Sequence, residues 1–196
     1  MEKSTLIFVT GGVRSGKSTF AEKYAQLRAK KKQGKLHYIA CGQVIDEEMA
    51  RRVQLHQIQR KTAEIPWITW EQPINIDTIA HNFSKKDTIV LDCLTTWLTN
   101  EWFLDEENEE KWEEPDFHHE LFNKITSGIS KITETCAELI IVSNELAHED
   151  MTISSLNFYY AKTLGKLHQW IVKNASQAYS VENGIWIAMK KEVGSK

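Results

Sequence analysis

The stretch TGGVRSGKST, from Thr10 to Thr19, follows the apolar run LIFV and opens a segment with helical spacing. From its first glycine it fits G-x-x-x-x-G-K-[ST], the pattern of a strand, a phosphate-holding loop and a helix. Glycine permits the backbone angles that turn successive N–H groups toward one oxygen cluster, and the helix start adds unpaired N–H groups. The predicted cradle consists of Gly11, Gly12, Val13, Arg14, Ser15, Gly16, Lys17 and Ser18.

Two side chains of this cradle carry its predicted chemistry. Lys17 is placed to reach the outer phosphates of a nucleoside triphosphate, and the Ser18 hydroxyl is placed to bind Mg²⁺. The alternative is a plain glycine-rich turn between a strand and a helix. Because the motif requires that strand before it and that helix after it, the context favours the cradle. The sequence therefore predicts a nucleotide-binding protein.

The composition favours a cytoplasmic protein built as one domain. The chain has 196 residues, 41% of them hydrophobic, which suffices for one sizeable core, and we expect a single domain over residues 1–196. A formal charge of −3 lacks the excess of positive charge that is typical of nucleic-acid-binding proteins. The three cysteines are widely spaced without a C-x-x-C pair, so the sequence indicates neither a disulfide framework nor a zinc site, and we expect reduced thiols. We expect neither a signal peptide nor a membrane span.

Strands and helices are predicted to alternate along the chain. The first helix runs from Lys17 to about Lys32, and the spacing of Phe20, Tyr24 and Leu27 predicts that they face inward. Apolar runs predict strands at Leu36–Ala40, Thr88–Asp92 and Leu139–Ser143, with an extended piece at Trp67–Glu71. Further helices are predicted at about Asp46–Lys61, Ile74–Phe83, Asp116–Glu134 and Ser154–Ser176.

The end of the chain and one acidic segment complete this pattern. Tyr179–Val181 and Ile185–Ala188 flank a turn at Glu182–Gly184, which predicts a hairpin. Residues 104–116, LDEENEEKWEEPD, are predicted to form a solvated or mobile acidic insertion. This order of strands and helices, together with the cradle, predicts an α/β, P-loop NTPase-like (RecA-like) fold. In such a fold a mostly parallel sheet is flanked by helices, and here we expect an antiparallel edge at the C-terminus.

Asp92 ends an apolar strand, at the edge of the sheet where ligands of parallel sheets bind. A carboxylate there suits the second acid of a P-loop enzyme, which holds Mg²⁺ or its bound water. The alternative is an aspartate that caps the following helix, and the upstream cradle favours the Mg²⁺ role. Asn144 and Glu145 follow another strand at the same edge.

Several short motifs, taken in order, resemble one family. They are VTGGVRSGKS (Val9–Ser18), YIA (Tyr38–Ala40), DEEM (Asp46–Met49), the pattern Arg52-Val53-x-x-His56-x-x-x-Arg60, LDCLTTWLTN (Leu91–Asn100), which we interpret as a strand, and VSNE (Val142–Glu145). The resemblance is to the bifunctional adenosylcobinamide kinase/adenosylcobinamide-phosphate guanylyltransferases, and it extends from about Leu6 to Lys190. It implies phosphorylation of adenosylcobinamide by GTP or ATP. It also implies transfer of GMP from GTP to that phosphate through a guanylylated histidine, in cobalamin biosynthesis.

His56 occupies the position of the family's nucleophile. A neutral imidazole can attack the α-phosphorus and form a phosphoramidate, which divides one difficult transfer into two displacements. Arg52 and Arg60 lie four residues to either side of His56, on the same helical face, where guanidinium groups could orient phosphate oxygens. The alternatives are a histidine without a catalytic role and ordinary surface arginines.

The resemblance also implies further roles in binding the guanine nucleotide and in assembly. It places nucleotide contacts at Cys41, Gly42, Gln43, Gln57, Ile58, Gln59, Arg60 and Glu71. Glu71 would accept hydrogen bonds from guanine, which would distinguish GTP from ATP. The implied partners are adenosylcobinamide and nucleotides, and the expected assembly is a small homo-oligomer.

Three features depart from the family's pattern. Lys61 follows Arg60 where many relatives have proline, residues 146–151 (LAHEDM) replace a glycine-rich turn, and the acidic insertion is added. Two other functions therefore stay open at this point. One is a kinase that acts on another small alcohol without GMP transfer, and the other is a GTP-binding switch without catalysis.

Overall fold

A seven-stranded sheet carries helices on both faces in the computed structural model. The structure describes residues 4–42, 51, 54, 56–58, 60–104, 111–145 and 155–191, with the backbone alone at residue 115. The strands of this part are β1 (Thr5–Gly11), β2 (Leu36–Ala40), β3 (Trp67–Glu71), β4 (Thr88–Asp92), β5 (Glu138–Asn144), β6 (Gln177–Glu182) and β7 (Ile185–Lys190). Their order is β3-β2-β4-β5-β1-β6-β7, and β7 is antiparallel to β6 while the other neighbours are parallel.

The helices connect these strands across the two faces. They are α1 (Lys17–Lys32), α2 (Leu94–Trp102), α3 (Pro115–Thr135) and α4 (Ser155–Asn174), with a 3₁₀ helix at Ile76–Asn82. Residues 51, 54, 56–58, 60 and 61 are also helical, as predicted, whereas the predicted cap at Asp46 lies outside the described residues. None of the helices in the described ranges is long and apolar enough to cross a membrane.

The two faces of the sheet bury separate cores. Successive side chains of a strand point to opposite faces, so Ile7 and Val9 pack toward α1, while Leu6 and Phe8 pack toward α3 and α4. The central strands are buried on both faces, which is why they appear in the sequence as continuous apolar runs. This arrangement confirms the predicted fold class and its antiparallel C-terminal edge.

The predicted inward face of α1 is wrong at Leu27, whereas Phe20 and Tyr24 do pack against the core. Leu27 is 66% exposed, and the face that packs on the sheet is formed by alanines, Ala21, Ala25 and Ala29. Phe20 and Tyr24 are half-buried because they pack against the β6–β7 hairpin at one side of the sheet rather than against its central strands. Small residues let α1 approach the sheet closely, and the aromatic residues then fill the space beside it.

Two further assignments need correction. The predicted helix at Ile74–Phe83 is a shorter 3₁₀ helix that follows Asn75 in the left-handed region, and the Thr78 and Asn82 side chains bond nearby carbonyl groups. LDCLTTWLTN is not a strand throughout, since β4 ends at Asp92 and α2 begins two residues later. Apart from Thr95, the buried residues of α2 follow a helical period: Leu94, Trp97, Leu98, Glu101 and Trp102.

Residues 105–110 of the acidic insertion lie outside the described residues. Of the flanking residues, Leu104 is exposed, whereas Trp112 packs against Tyr159 of α4 with ring centroids 6.0 Å apart. Trp112 thus packs against the core and is half-buried rather than solvated, and the prediction of a solvated or mobile segment stays a prediction for residues 105–110.

Candidate active site

The loop between β1 and α1 has the geometry of a phosphate cradle. Gly16 precedes α1 at a φ of 91°, which glycine adopts without strain, and a Cβ at Gly11 would overlap the Val181 carbonyl oxygen. No side chain of the described residues caps α1, so the N–H groups of its first turn can face an anion. Lys17 is 7% exposed, and its Nζ donates to the Gly12 carbonyl oxygen at 3.0 Å.

Two distant segments hold this loop in place. The Gly184 N–H, in the β6–β7 turn, donates to the Ser15 carbonyl oxygen at 2.8 Å. The Glu145 N–H, just after β5, donates to the Gly11 carbonyl oxygen at 3.1 Å. The cradle is thus fixed on both sides by backbone hydrogen bonds from residues far along the chain.

Asp92 lies at the same edge of the sheet, at the end of β4. Strand β5 separates β4 from β1, which puts Asp92 roughly 10 Å across the sheet from the cradle. The Tyr38 hydroxyl donates to Asp92 Oδ2 at 2.9 Å. Burial raises the pKa of Tyr38 well above its usual range, and the Asp92 carboxylate raises it further, so the phenol keeps its proton and orients the carboxylate.

His56 and Arg60 meet at a buried carboxylate on α1. Arg60 Nη1 lies 2.9 Å from Glu22 Oε1, and His56 Nδ1 lies 3.4 Å from the same oxygen. The Arg60 guanidinium also stacks on the Tyr38 ring, 3.9 Å from its centroid, and Tyr38 in turn bonds Asp92. A continuous chain of contacts therefore joins Asp92, Tyr38, Arg60, Glu22 and His56.

This cluster lies close behind the cradle. Glu22 follows Ser18 by four residues, so the two side chains share one face of α1 and lie about 6 Å apart along the helix axis. Glu22 was missed by sequence reasoning because an acid within a polar helix resembles an ordinary surface residue. Its spacing from Ser18 is the one indication that the sequence offered.

The predicted guanine contacts are more dispersed. Cys41 is fully buried, which raises the pKa of its thiol, and its N–H donates to the Asp92 carbonyl oxygen. Gly42 is half-buried, while Gln57 and Ile58 are exposed. Glu71 ends β3, four strand steps or roughly 19 Å from β1, so it is not adjacent to the cradle. Arg52, Gln43 and Gln59 lie outside the described residues, and all these roles stay predictions.

Ser18 and Asp92 offer the ligands that Mg²⁺ prefers. Both side chains present oxygen and are half-buried at the carboxyl edge of the sheet. Among the described residues, no group of three or more His, Cys, Asp or Glu side chains could form a metal cage. A hydroxyl and a carboxylate therefore fit an ion that completes its shell with water and phosphate oxygens.

The fold belongs to the class of P-loop nucleotide-binding proteins. This class is defined by the cradle after β1 in a mostly parallel sheet, with one further strand, here β5, between β1 and β4. A solved ATPase domain shares this fold, with a TM-score of 0.54 and 10% identity over 99% of this chain and 79% of that domain. The chain belongs to the CobU family, described as cobinamide kinase / cobinamide phosphate guanyltransferase, whose model matches residues 7–189. The family resemblance drawn from the sequence motifs is thereby confirmed.

Curated relatives agree with this membership. The bifunctional adenosylcobalamin biosynthesis protein CobU of Salmonella typhimurium is 31% identical over 188 residues, which cover 94% of this chain and 99% of the relative. CobU of Escherichia coli is 28% identical with the same coverage. The bifunctional adenosylcobalamin biosynthesis protein CobP of Pseudomonas aeruginosa is 28% identical over 94% of this chain and 96% of the relative.

Proposed function

We propose that one nucleotide cradle serves two reactions in this chain. The first transfers a phosphoryl group from GTP or ATP to the aminopropanol hydroxyl of adenosylcobinamide. The second transfers GMP from GTP, through His56, to that new phosphate, and it yields adenosylcobinamide-GDP and pyrophosphate. The chain is a kinase and nucleotidyltransferase of cobalamin biosynthesis, since its family's description contains both activities. Neither a kinase for another alcohol nor a non-catalytic GTP switch is supported by these relatives.

In the kinase reaction the cradle binds and orients the triphosphate. The N–H groups at the start of α1 and the Lys17 ammonium neutralise phosphate charge as the acceptor oxygen bonds to the γ-phosphorus. The bond from that phosphorus to its bridging oxygen breaks, the nucleoside diphosphate leaves with the electron pair, and the proton of the acceptor hydroxyl passes to solvent. Ser18 and Asp92 would hold Mg²⁺, which supplies further neutralisation of charge when it is bound.

In the guanylyl transfer, an imidazole nitrogen of His56 bonds to the α-phosphorus of GTP, and the bond to the bridging oxygen breaks to release pyrophosphate. An oxygen of adenosylcobinamide phosphate then attacks the same phosphorus and frees the imidazole. Arg60, held against Glu22 and Tyr38, lies four residues from His56 and is placed to bind phosphate oxygens.

The observation that carries this proposal is the contact between His56 Nδ1 and Glu22 Oε1 at 3.4 Å. It places the imidazole beside α1, on the face that carries Ser18 one turn earlier.

Two further features support the proposed location and assembly of the enzyme. All three cysteines are free and buried, which supports a cytoplasmic location. The edge strand β7 exposes Ile185, Trp186, Ile187 and Met189, and such an apolar edge supports the proposed homo-oligomer. Adenosylcobinamide and the nucleotides are its proposed small-molecule partners.

Separate measurement of the two products tests the proposal. The chain is incubated with adenosylcobinamide, GTP and Mg²⁺, and phosphorylated and GDP-linked corrinoids are resolved by chromatography. We expect His56→Ala to stop at the phosphorylated corrinoid and Lys17→Ala to form neither product. His119→Ala, a change at an exposed histidine of α3, serves as the matched control and should form both. GDP-linked product from His56→Ala would contradict the proposal.

A further inference from the structure

Glu22 is a buried acid that the two proposed reactions do not yet use. It is 5% exposed, although its helix has an open outer face on which an acid would remain hydrated. A buried carboxylate is unfavourable unless charged or hydrogen-bonding groups compensate for its lost hydration. The compensating groups here are Arg60 and His56, which are two of the proposed catalytic residues.

The two nitrogens of His56 have different surroundings. Nδ1 is buried, has no hydrogen bond in the described structure and lies 3.4 Å from Glu22 Oε1. The side chain as a whole is 31% exposed. A shift of a few tenths of an ångström would bring Nδ1 to the distance of a charge-assisted hydrogen bond. The ring is therefore poised to present Nδ1 to the carboxylate and its opposite edge to a ligand.

We propose that Glu22 is a positioning residue for guanylyl transfer, in that it holds the proton of His56 on Nδ1 and leaves the lone pair on Nε2. This inference rests on the proposed function of His56. The Nε2 lone pair forms the bond to the α-phosphorus, and the electron pair of the broken P–O bond leaves with pyrophosphate. Nδ1 keeps its proton throughout, so the ring becomes positive beside the Glu22 carboxylate and neutral again when GMP departs.

Arg60 has a second role in this arrangement. It shares Oε1 of Glu22 with His56, and it is itself fixed by stacking on Tyr38. The guanidinium holds the buried carboxylate in one orientation. Among the described residues, the charged and titratable groups that this chain of contacts brings to the imidazole are Glu22 from α1 and Arg60 from its own helix, with Tyr38 from β2 and Asp92 from β4 behind Arg60.

Nuclear magnetic resonance of protein labelled with ¹⁵N-histidine tests this inference directly. In mildly alkaline buffer we expect the neutral His56 ring to carry its proton on Nδ1, and we expect Glu22→Gln to shift the ring toward the Nε2–H tautomer. After reaction with GTP, the phosphorus should be attached to Nε2. We also expect Glu22→Gln to slow formation of the guanylylated protein about 10- to 100-fold while the KM for GTP changes little.

Glu138→Gln is the matched control, because Glu138 is also a buried acid on the core, paired with Arg28, but lies at the opposite edge of the sheet. It should leave the tautomer and the rate of guanylylation unchanged. An Nε2–H tautomer in the unmodified protein, or phosphorus on Nδ1, overturns the role of Glu22 even where Glu22→Gln does not fold. Absence of any guanylylation in the unmodified protein would instead contradict the proposed function.

Discussion

The Glu22–Arg60 pair gives a quantitative test of the packing behind the cradle. The two charged groups lie 2.9 Å apart, and each side chain is 6% exposed. Removal of one partner from a buried ion pair leaves an uncompensated charge and typically costs about 3–5 kcal/mol, whereas replacement of both by apolar groups is often close to neutral. Because His56 lies near Glu22 and relieves part of this loss, we expect the low end of that range.

Arg60→Met should therefore lower the free energy of unfolding by about 3 kcal/mol. For a chain of this length, that corresponds to a fall in Tm of about 6–12 °C. The double variant Glu22→Leu/Arg60→Met should recover most of the loss and lie within about 1 kcal/mol of the unmodified protein. Urea unfolding followed by tryptophan fluorescence measures all four members of this double-mutant cycle.

The exposed pair Lys30–Glu64 is the matched control. Its charged atoms are 2.7 Å apart, but the side chains are 64% and 72% exposed. A double-mutant cycle on Lys30 and Glu64 should give a coupling free energy of about 0.5 kcal/mol or less, because water screens exposed charges. If the effects of Glu22→Leu and Arg60→Met simply add, the buried pair does not exist in solution and the account of the cluster is wrong.

Two further predictions concern the rest of the fold. Gly34→Ala should lower the free energy of unfolding by about 2 kcal/mol, because the added Cβ would overlap the Lys86 carbonyl oxygen, whereas Gly165→Ala on α4 meets open space and should be neutral or stabilising. Equal midpoints in urea for these two variants would refute this explanation. Burial lowers the pKa of His168 to about 4, so its contribution to stability is complete above the unfolded pKa near 6.5 and is lost as the pH falls toward 4. Between about pH 7 and pH 4.5, the free energy of unfolding of the unmodified protein should fall by roughly 2 kcal/mol more than that of His168→Asn. If the free energies of unfolding of the two proteins change in parallel with pH, this explanation is wrong.

The sequence predicted the elements whose conformation is determined by their own residues and those that form continuous apolar runs. The cradle from Gly11 to Ser18 is specified by its own glycines, and β4 and β5 are buried on both faces, so their bounds are visible in the hydrophobic pattern. The hairpin turn at Asn183 and Gly184 was likewise predictable, since both residues adopt a positive φ.

The wrong or missed assignments lie where residues far apart in the sequence determine how a segment packs. Leu27 was expected inside because apolar spacing cannot show that alanines form the closer contact with the sheet. Phe20 and Tyr24 are covered by a hairpin that begins at Gln177, which no local pattern on α1 predicts. Glu22 belongs to the site only because the His56 helix packs on α1, and tertiary packing of that kind leaves little trace in one sequence.

Guanylyl transfer as proposed requires that His56 forms a covalent bond to GMP beside the cradle. Labelling with α-³²P GTP in the presence of Mg²⁺ detects this bond. We expect label that is lost in acid and kept in alkali, as a phosphorus–nitrogen bond requires. It should appear in the unmodified protein and in His119→Ala and be absent from His56→Ala. Label that persists in His56→Ala, or none in the unmodified protein, would contradict the claim.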